Sequence, residues 1–96
     1  MSSKSELLTS QIQSFGIEVR PLTAVLKGKP EITILTPPKL KNEFSFLEVT
    51  HGITTGDFLQ NYMLGLPENM RQVPEGEMVY WANLCLYAMR KGLQAA

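Results

Sequence analysis

Four residues carry side chains that catalysis or metal binding would use: Glu48, His51, Asp57 and Cys85. His51 is the only histidine, and with the two carboxylates it would offer a general base or three ligands for a metal ion. The three side chains would have to converge, yet a strand through Glu48 and His51 points residues at odd offsets to opposite faces. We therefore expect His51 to be a turn residue, and we predict no metal site, no cofactor and no enzymatic activity.

Cys85 is the only cysteine, and it lies inside an apolar run. A reactive thiol needs a cationic, partly exposed environment, whereas a buried cysteine acts as a small hydrophobic side chain with a raised pKa. We therefore expect Cys85 to be structural. A lone cysteine also excludes an intrachain disulfide, and the first six residues lack the apolar core of a signal peptide, so the expected location is the cytoplasm.

The longest apolar run extends from Met78 to Met89, and Asn83 is its only polar residue. A surface helix normally carries one apolar stripe and a polar back. This run has almost no polar back, so we expect it to contact something on more than one side. It is too short to cross a bilayer, which takes about 20 apolar residues. The predicted partner is therefore a protein, either another chain or a second copy of this one.

Helical spacing divides this run into two faces. The predicted core face consists of Met78, Ala82, Cys85 and Met89, flanked by Val79, Trp81 and Leu86. On the opposite side lie Tyr80, Leu84 and Tyr87, which we predict to form the protein interface because tyrosine buries area and keeps a polar tip. The alternative is that both tyrosines pack within the chain.

Charges of opposite sign occupy different parts of the chain, although the formal net charge is zero. Residues 20–41 carry five basic side chains and one acidic, whereas residues 42–80 carry six acidic and one basic. The two patches either face each other and keep the domain in solution, or they make a dipolar molecule that meets a charged partner.

Four lysines flank the predicted strand 31–36: Lys27, Lys29, Lys39 and Lys41. With Phe44 and Phe46 nearby, they offer the mixture of cations and aromatic rings that single-stranded nucleic acid uses. The alternative is that the lysines protect an exposed strand edge from aggregation and that the phenylalanines belong to the core. Nucleic-acid binding is therefore the second function that the sequence supports.

The hydrophobic pattern predicts both helices and short strands. Helices are predicted over 4–15, 55–64 and 75–92, with Gly16 and Gly92 at the ends of the first and the last. Strands are predicted over 17–20, 31–36 and 44–50. The last two strands would form a hairpin, residues 22–27 are expected to be extended, and Pro37 and Pro38 would end the strand before them.

The predicted fold class is therefore α+β, with residues 1–96 as a single domain. An N-terminal helix would precede a small antiparallel sheet of three to four strands, and two C-terminal helices would pack on one face of the sheet. A chain of 96 residues is long enough for one modest core.

The order of these parts resembles that of the small tail assembly chaperones of tailed phages. The resemblance rests on the stretch from Leu47 to Leu59, on Gly65-Leu66-Pro67 before the final helix, and on the predicted hairpin ahead of both. It covers residues 28–90. It implies a non-enzymatic protein that binds another structural protein.

The leading expectation is thus a protein-binding protein without catalysis: an assembly factor, an inhibitor or a small subunit of a larger particle. Nucleic-acid binding is the alternative, and an enzyme ranks third. Salt dependence would separate the first two, because binding to phosphates weakens steeply with salt whereas an aromatic interface barely responds.

Overall fold

The computed structural model describes residues 4–95, and over that range the chain is a bundle of helices. Five are α-helices: α1 (Lys4–Gln13), α2 (Leu22–Lys27), α3 (Pro37–His51), α4 (Thr55–Leu64) and α5 (Met78–Ala95). Two single 3₁₀ turns, Glu68–Met70 and Glu75–Glu77, lie between α4 and α5. The helices predicted over 4–15 and 55–64 are confirmed as α1 and α4, and the last predicted helix is confirmed as α5.

The predicted α+β class is wrong, because residues 4–95 contain no strand. Residues 17–20 form a single connecting segment in which Val19 is buried. Residues 22–27, expected to be extended, form α2 and place Leu22 and Leu26 in the core. The β-hairpin that the resemblance to tail assembly chaperones implies is likewise absent from this part of the chain.

The predicted hairpin fails because its second strand is the middle of α3. Pro37 and Pro38 do not end a strand; they occupy the first helical positions. There the fixed φ of proline favours the helix, and the missing N–H costs no main-chain hydrogen bond. Thr36 before them has extended geometry (φ −71°, ψ 158°), as a residue preceding proline requires. Leu40 and Leu47 then lie two turns apart on the buried face of the helix.

α5 is the central helix, and α1, α2 and α3 all pack against it. Its buried residues cover most of its circumference: Trp81, Asn83, Leu84, Cys85, Leu86, Ala88, Met89 and Gly92. The prediction that Trp81 belongs to the core is confirmed, since it is 4% exposed. Met78 and Val79, also assigned to the core face, are exposed instead (50% and 37%), at the first two residues of α5.

The prediction that Gly92 ends the last helix is wrong. Gly92 lies inside α5, where α1 packs against it. A Cβ atom at this position would lie 2.7 Å from side-chain carbons of both Leu8 and Ile12. The absence of a side chain therefore allows the two helices to approach each other. Gly16, by contrast, has the left-handed conformation (φ 67°) predicted for the end of the first helix.

Candidate interaction groove

Residues 31–36, here called the strap, run along α5 without regular secondary structure, and Asn83 fixes one end of them. The Leu35 amide donates to Asn83 Oδ1 (2.8 Å), and Asn83 Nδ2 donates to the Leu35 carbonyl (3.2 Å) and to the Val79 carbonyl (2.8 Å). Asn83 is 2% exposed, so these bonds offset the cost of burying its amide. The side chain thus offers Leu35 the donor and acceptor that a neighbouring antiparallel strand would offer.

The other end of the strap is held by Tyr87. Its hydroxyl donates to Glu31 Oε1 (3.0 Å), while Lys91 Nζ lies 5.5 Å from the centre of the tyrosine ring and donates to the hydroxyl (3.3 Å). The pKa of the Glu31 carboxyl is lowered, first by a hydrogen bond from its own main-chain amide, then by the Tyr87 hydroxyl and by the charges of Lys29 and Lys91. Glu31 is therefore ionised at neutral pH and accepts the tyrosine hydrogen bond as a carboxylate.

A groove with a cavity volume of about 460 Å³ lies between the strap and the last turns of α5. The strap contributes Thr33 and Leu35 to its lining, and α5 contributes Leu86, Tyr87, Arg90 and Lys91. We call it the strap groove. Its size is within the range of pockets that hold compact ligands, roughly 300–1,000 Å³.

Arg90 lines both the strap groove and a second cavity of about 350 Å³. Its guanidinium pairs with the Glu43 carboxylate of α3, and both side chains are partly exposed. Leu47 and His51 line the second cavity on the α3 side, while Gln94 lines both cavities together with Arg90. The two cavities thus share the rim formed by the last turns of α5.

The three residues predicted as an interface do not form one exposed surface. Leu84 is 1% exposed and belongs to the core, because the chain surrounds α5 at this level. Tyr80 and Tyr87 are half-buried, and of the three only Tyr87 lines the strap groove. The apolar run does contact something on several sides, as its pattern indicated, but α1, α2, α3 and the strap supply much of that contact.

The residues considered for chemistry lie apart and have structural contacts. Glu48 Oε1 accepts the amide of Thr55 (2.8 Å) in the first turn of α4. The pKa of the Glu48 carboxyl is lowered first by the Thr55 side-chain hydroxyl and then by this amide. His51 is exposed at the end of α3 and contacts Thr50 Oγ1 through Nδ1 (2.8 Å). Within residues 4–95, no three His, Cys, Asp or Glu side chains come together as a metal site. Cys85 is fully buried, and burial raises the pKa of its thiol.

The four lysines considered for nucleic-acid contact are all exposed. Lys27 and Lys29 lie at the end of α2 and just after it, whereas Lys39 and Lys41 lie in the first two turns of α3. The strap lies between the two pairs along the chain. Of the two aromatic residues considered with them, Phe44 packs against the core and Phe46 is exposed.

Sequence reasoning missed an exposed apolar pair on the outer side of α3. Phe46 is 61% exposed and Val49 is 85% exposed, one turn apart. It also missed the strap groove, because neither Thr33 nor Arg90 belongs to any local motif. The one signal available was Asn83, a single amide inside an apolar run, since a buried amide must have a partner.

Comparison with known proteins identifies no relative. No protein-family model, curated protein or solved structure matches this chain. Among the helices of residues 4–95, none has both the length and the apolar character needed to cross a membrane.

Proposed function

We propose that this protein binds another protein without catalysing a reaction, and that it does so through the strap groove. The observation that carries the proposal is the groove itself: a cavity of about 460 Å³ beside a half-buried tyrosine, with apolar side chains of Leu35 and Leu86 and cations at one end. Protein interfaces favour this combination of apolar surface, tyrosine and arginine. Such binding would serve an assembly factor, an inhibitor or a small subunit of a larger particle.

The placement of the reactive residues supports a role without catalysis. Burial raises the pKa of the Cys85 thiol, and a thiolate is the form that attacks substrates. His51 contacts a threonine hydroxyl and no carboxylate of residues 4–95, so among these it lacks the third group that orients a histidine base. Glu48 and Asp57 belong to different helices, and the first of them accepts a main-chain amide.

The test blocks the groove and leaves the rest of the surface unchanged. Partners are captured from native lysate and identified by mass spectrometry, and their dissociation constants are then measured with two variants. Gln94→Trp places a large ring at the shared rim of the two cavities, whereas Gln60→Trp makes the same change on the exposed side of α4. We expect at least about ten-fold weaker binding for Gln94→Trp, equal to roughly 1.4 kcal/mol, and no change for Gln60→Trp. Equal effects of the two substitutions would place the interface elsewhere.

A further inference from the structure

The strap presents one residue with an unpaired main chain, Thr33, to the groove. Glu31, Thr33 and Leu35 line the groove together with Ile32, whereas Ile34 does not line it and is exposed to solvent. From Thr33 onward the lining residues alternate, and Thr36 has extended geometry, as expected of an extended segment. In such a segment the N–H and C=O groups of residues two apart point to the same side, so the main chain of Thr33 faces the groove as that of Leu35 does.

The main-chain groups of these two residues differ in their partners. Those of Leu35 are bonded to Asn83. Those of Thr33 have no hydrogen-bond partner anywhere in residues 4–95. The groove therefore contains a free main-chain donor and a free acceptor, both of Thr33. Asn83 already bonds the same two groups of Leu35, two residues further on.

We propose that the strap groove binds an extended peptide segment of the partner protein, which pairs its main chain with Thr33 and places a carboxylate beside Lys91. This inference rests on the proposed function, since it names what occupies the same groove. An exposed edge recruits peptides through main-chain hydrogen bonds, while adjacent pockets select alternate side chains. The Asn83 side chain already makes the same pair of hydrogen bonds within the protein, to the main chain of Leu35.

A helical segment could not pair with the main chain of Thr33, because its own main-chain groups are already bonded to one another. An extended segment has both groups free and sends every second side chain to the same side. Leu35 and Leu86 on the groove lining would contact those side chains.

The charges of the groove favour a carboxylate at the Lys91 end. Arg90 is paired with Glu43, and Glu31 accepts the Tyr87 hydroxyl. Lys91 contacts the ring and hydroxyl of Tyr87 and acts on the Glu31 carboxylate only at longer range, so it forms no direct ion pair with a carboxylate of residues 4–95. An acidic side chain or a chain terminus on the bound peptide would give it a direct ion-pair partner.

The test uses a displayed library of random heptapeptides, followed by synthetic versions of the selected sequences. Three variants separate main chain from side chain. Thr33→Pro removes the amide that faces the groove, Ile34→Pro removes an amide on the other edge, and Thr33→Val keeps the main chain while removing the hydroxyl. We expect the selected peptides to bind Thr33→Pro at least about ten-fold more weakly and to bind the other two within about two-fold of the parent. Equal loss in both proline variants, or loss in Thr33→Val, would overturn main-chain pairing.

Amide hydrogen exchange on the unaltered protein tests the same pairing without depending on the folding of a proline variant. Saturating peptide should slow exchange at Thr33 at least about ten-fold and leave Leu35, already bonded to Asn83, little changed. Unprotected Thr33 in the presence of a peptide that shifts groove resonances would overturn the extended mode and leave the groove as a binding site. Peptides that shift resonances only outside the groove would contradict the proposed function as well.

Lys91 is tested with charge-matched variants. Lys91→Gln should weaken peptides that carry a carboxylate about five-fold at low salt and leave their amidated or neutral forms unchanged, and the difference should shrink at high salt. Lys27→Gln is the control, because that lysine is exposed at the end of α2 and does not line the groove. An equal response to the two substitutions would overturn the assignment of the carboxylate to Lys91.

Discussion

α5 and α3 both carry apolar side chains on more than one side, but the chain covers only one of the two helices. Around α5 it places α1, α2, α3 and the strap. On α3, Leu40 and Leu47 face inward, while Phe46 and Val49 face solvent. The long apolar run therefore marks the helix with the most neighbours in its own fold. The most exposed of the large apolar side chains, Val49, lies with Phe46 on a peripheral helix that the sequence did not distinguish, whereas α5 exposes such side chains only in its first turn, at Met78 and Val79.

The largest effect should come from Trp81, which tests whether α5 is the covered helix of the two. Trp81→Ala removes a ring that is almost fully buried beside Tyr62 (centroids 6.5 Å apart) and should cost on the order of 3–5 kcal/mol of unfolding free energy. Phe46→Ala should change it by less than about 0.5 kcal/mol, because the ring is mostly in solvent already. Urea denaturation of both variants measures the difference. Similar losses would mean that the exposed face of α3 is covered in solution.

Gly92 gives the next largest effect, because it sets the distance between α1 and the centre of the fold. Gly92→Ala introduces a methyl group where Leu8 and Ile12 leave no room, and it should destabilise the protein by about 1–3 kcal/mol. Gly76→Ala is the matched control, since nothing lies within 4 Å of the position that its Cβ would take. Thermal unfolding compares the two, and a neutral Gly92→Ala would show that α1 can move away from α5 at little cost.

Asn83 tests whether the strap is a genuine part of the cover over α5. Asn83→Ala leaves the amide and carbonyl of Leu35 without their partner and should cost about 1–3 kcal/mol. The Leu35 amide should then exchange its hydrogen much faster than in the parent protein. Asn42→Ala, an exposed change on α3, should alter neither quantity. Unchanged protection of Leu35 in Asn83→Ala would mean that other contacts hold the strap.

The smallest effect concerns the other anchor of the strap, the bond between Tyr87 and Glu31. The folded pKa of Glu31 lies below its ordinary value of 4.5, so ionisation favours the folded state. That contribution is fully present above about pH 4.5 and is lost as the pH falls through the lower, folded pKa. Glu31→Gln should therefore reduce the fall in melting temperature between about pH 6 and pH 3. Identical pH profiles of the two proteins would contradict the role assigned to this carboxylate.

The sequence predicted those helices whose signals are local. α1 and α4 have apolar residues at helical spacing, and Gly16 takes the left-handed conformation expected after α1. α3 was missed because the alternation of Phe44 and Phe46 fits a strand as well as a helix. The distinguishing evidence was the proline pair, which can begin a helix, together with two leucines seven residues apart.

The strap shows why the rest of the prediction failed. Its sequence has the alternation of a strand, and from Thr33 onward alternate residues line the groove, as they would in an extended segment. Its partner, however, is an amide 48 residues further along the chain rather than another strand. No local pattern identifies such a partner. The same reason explains Leu84: a helical projection shows which residues share a face, but it does not show how many elements will surround that helix.

The position of α5 at the centre has a consequence for the order in which the chain folds. Of the four preceding α-helices, α1, α2 and α3 share α5 as a packing partner, and α5 is made last. The hydrogen bonds of Asn83 to the strap also form only after α5 is made. During synthesis, a nascent chain ending near residue 77 could pair α1 with α4 but would still expose the apolar sides of α2 and α3 to water. Contacts this distant in sequence slow folding and prolong that exposure. The interval before α5 is made is therefore the period in which this protein is most vulnerable to aggregation.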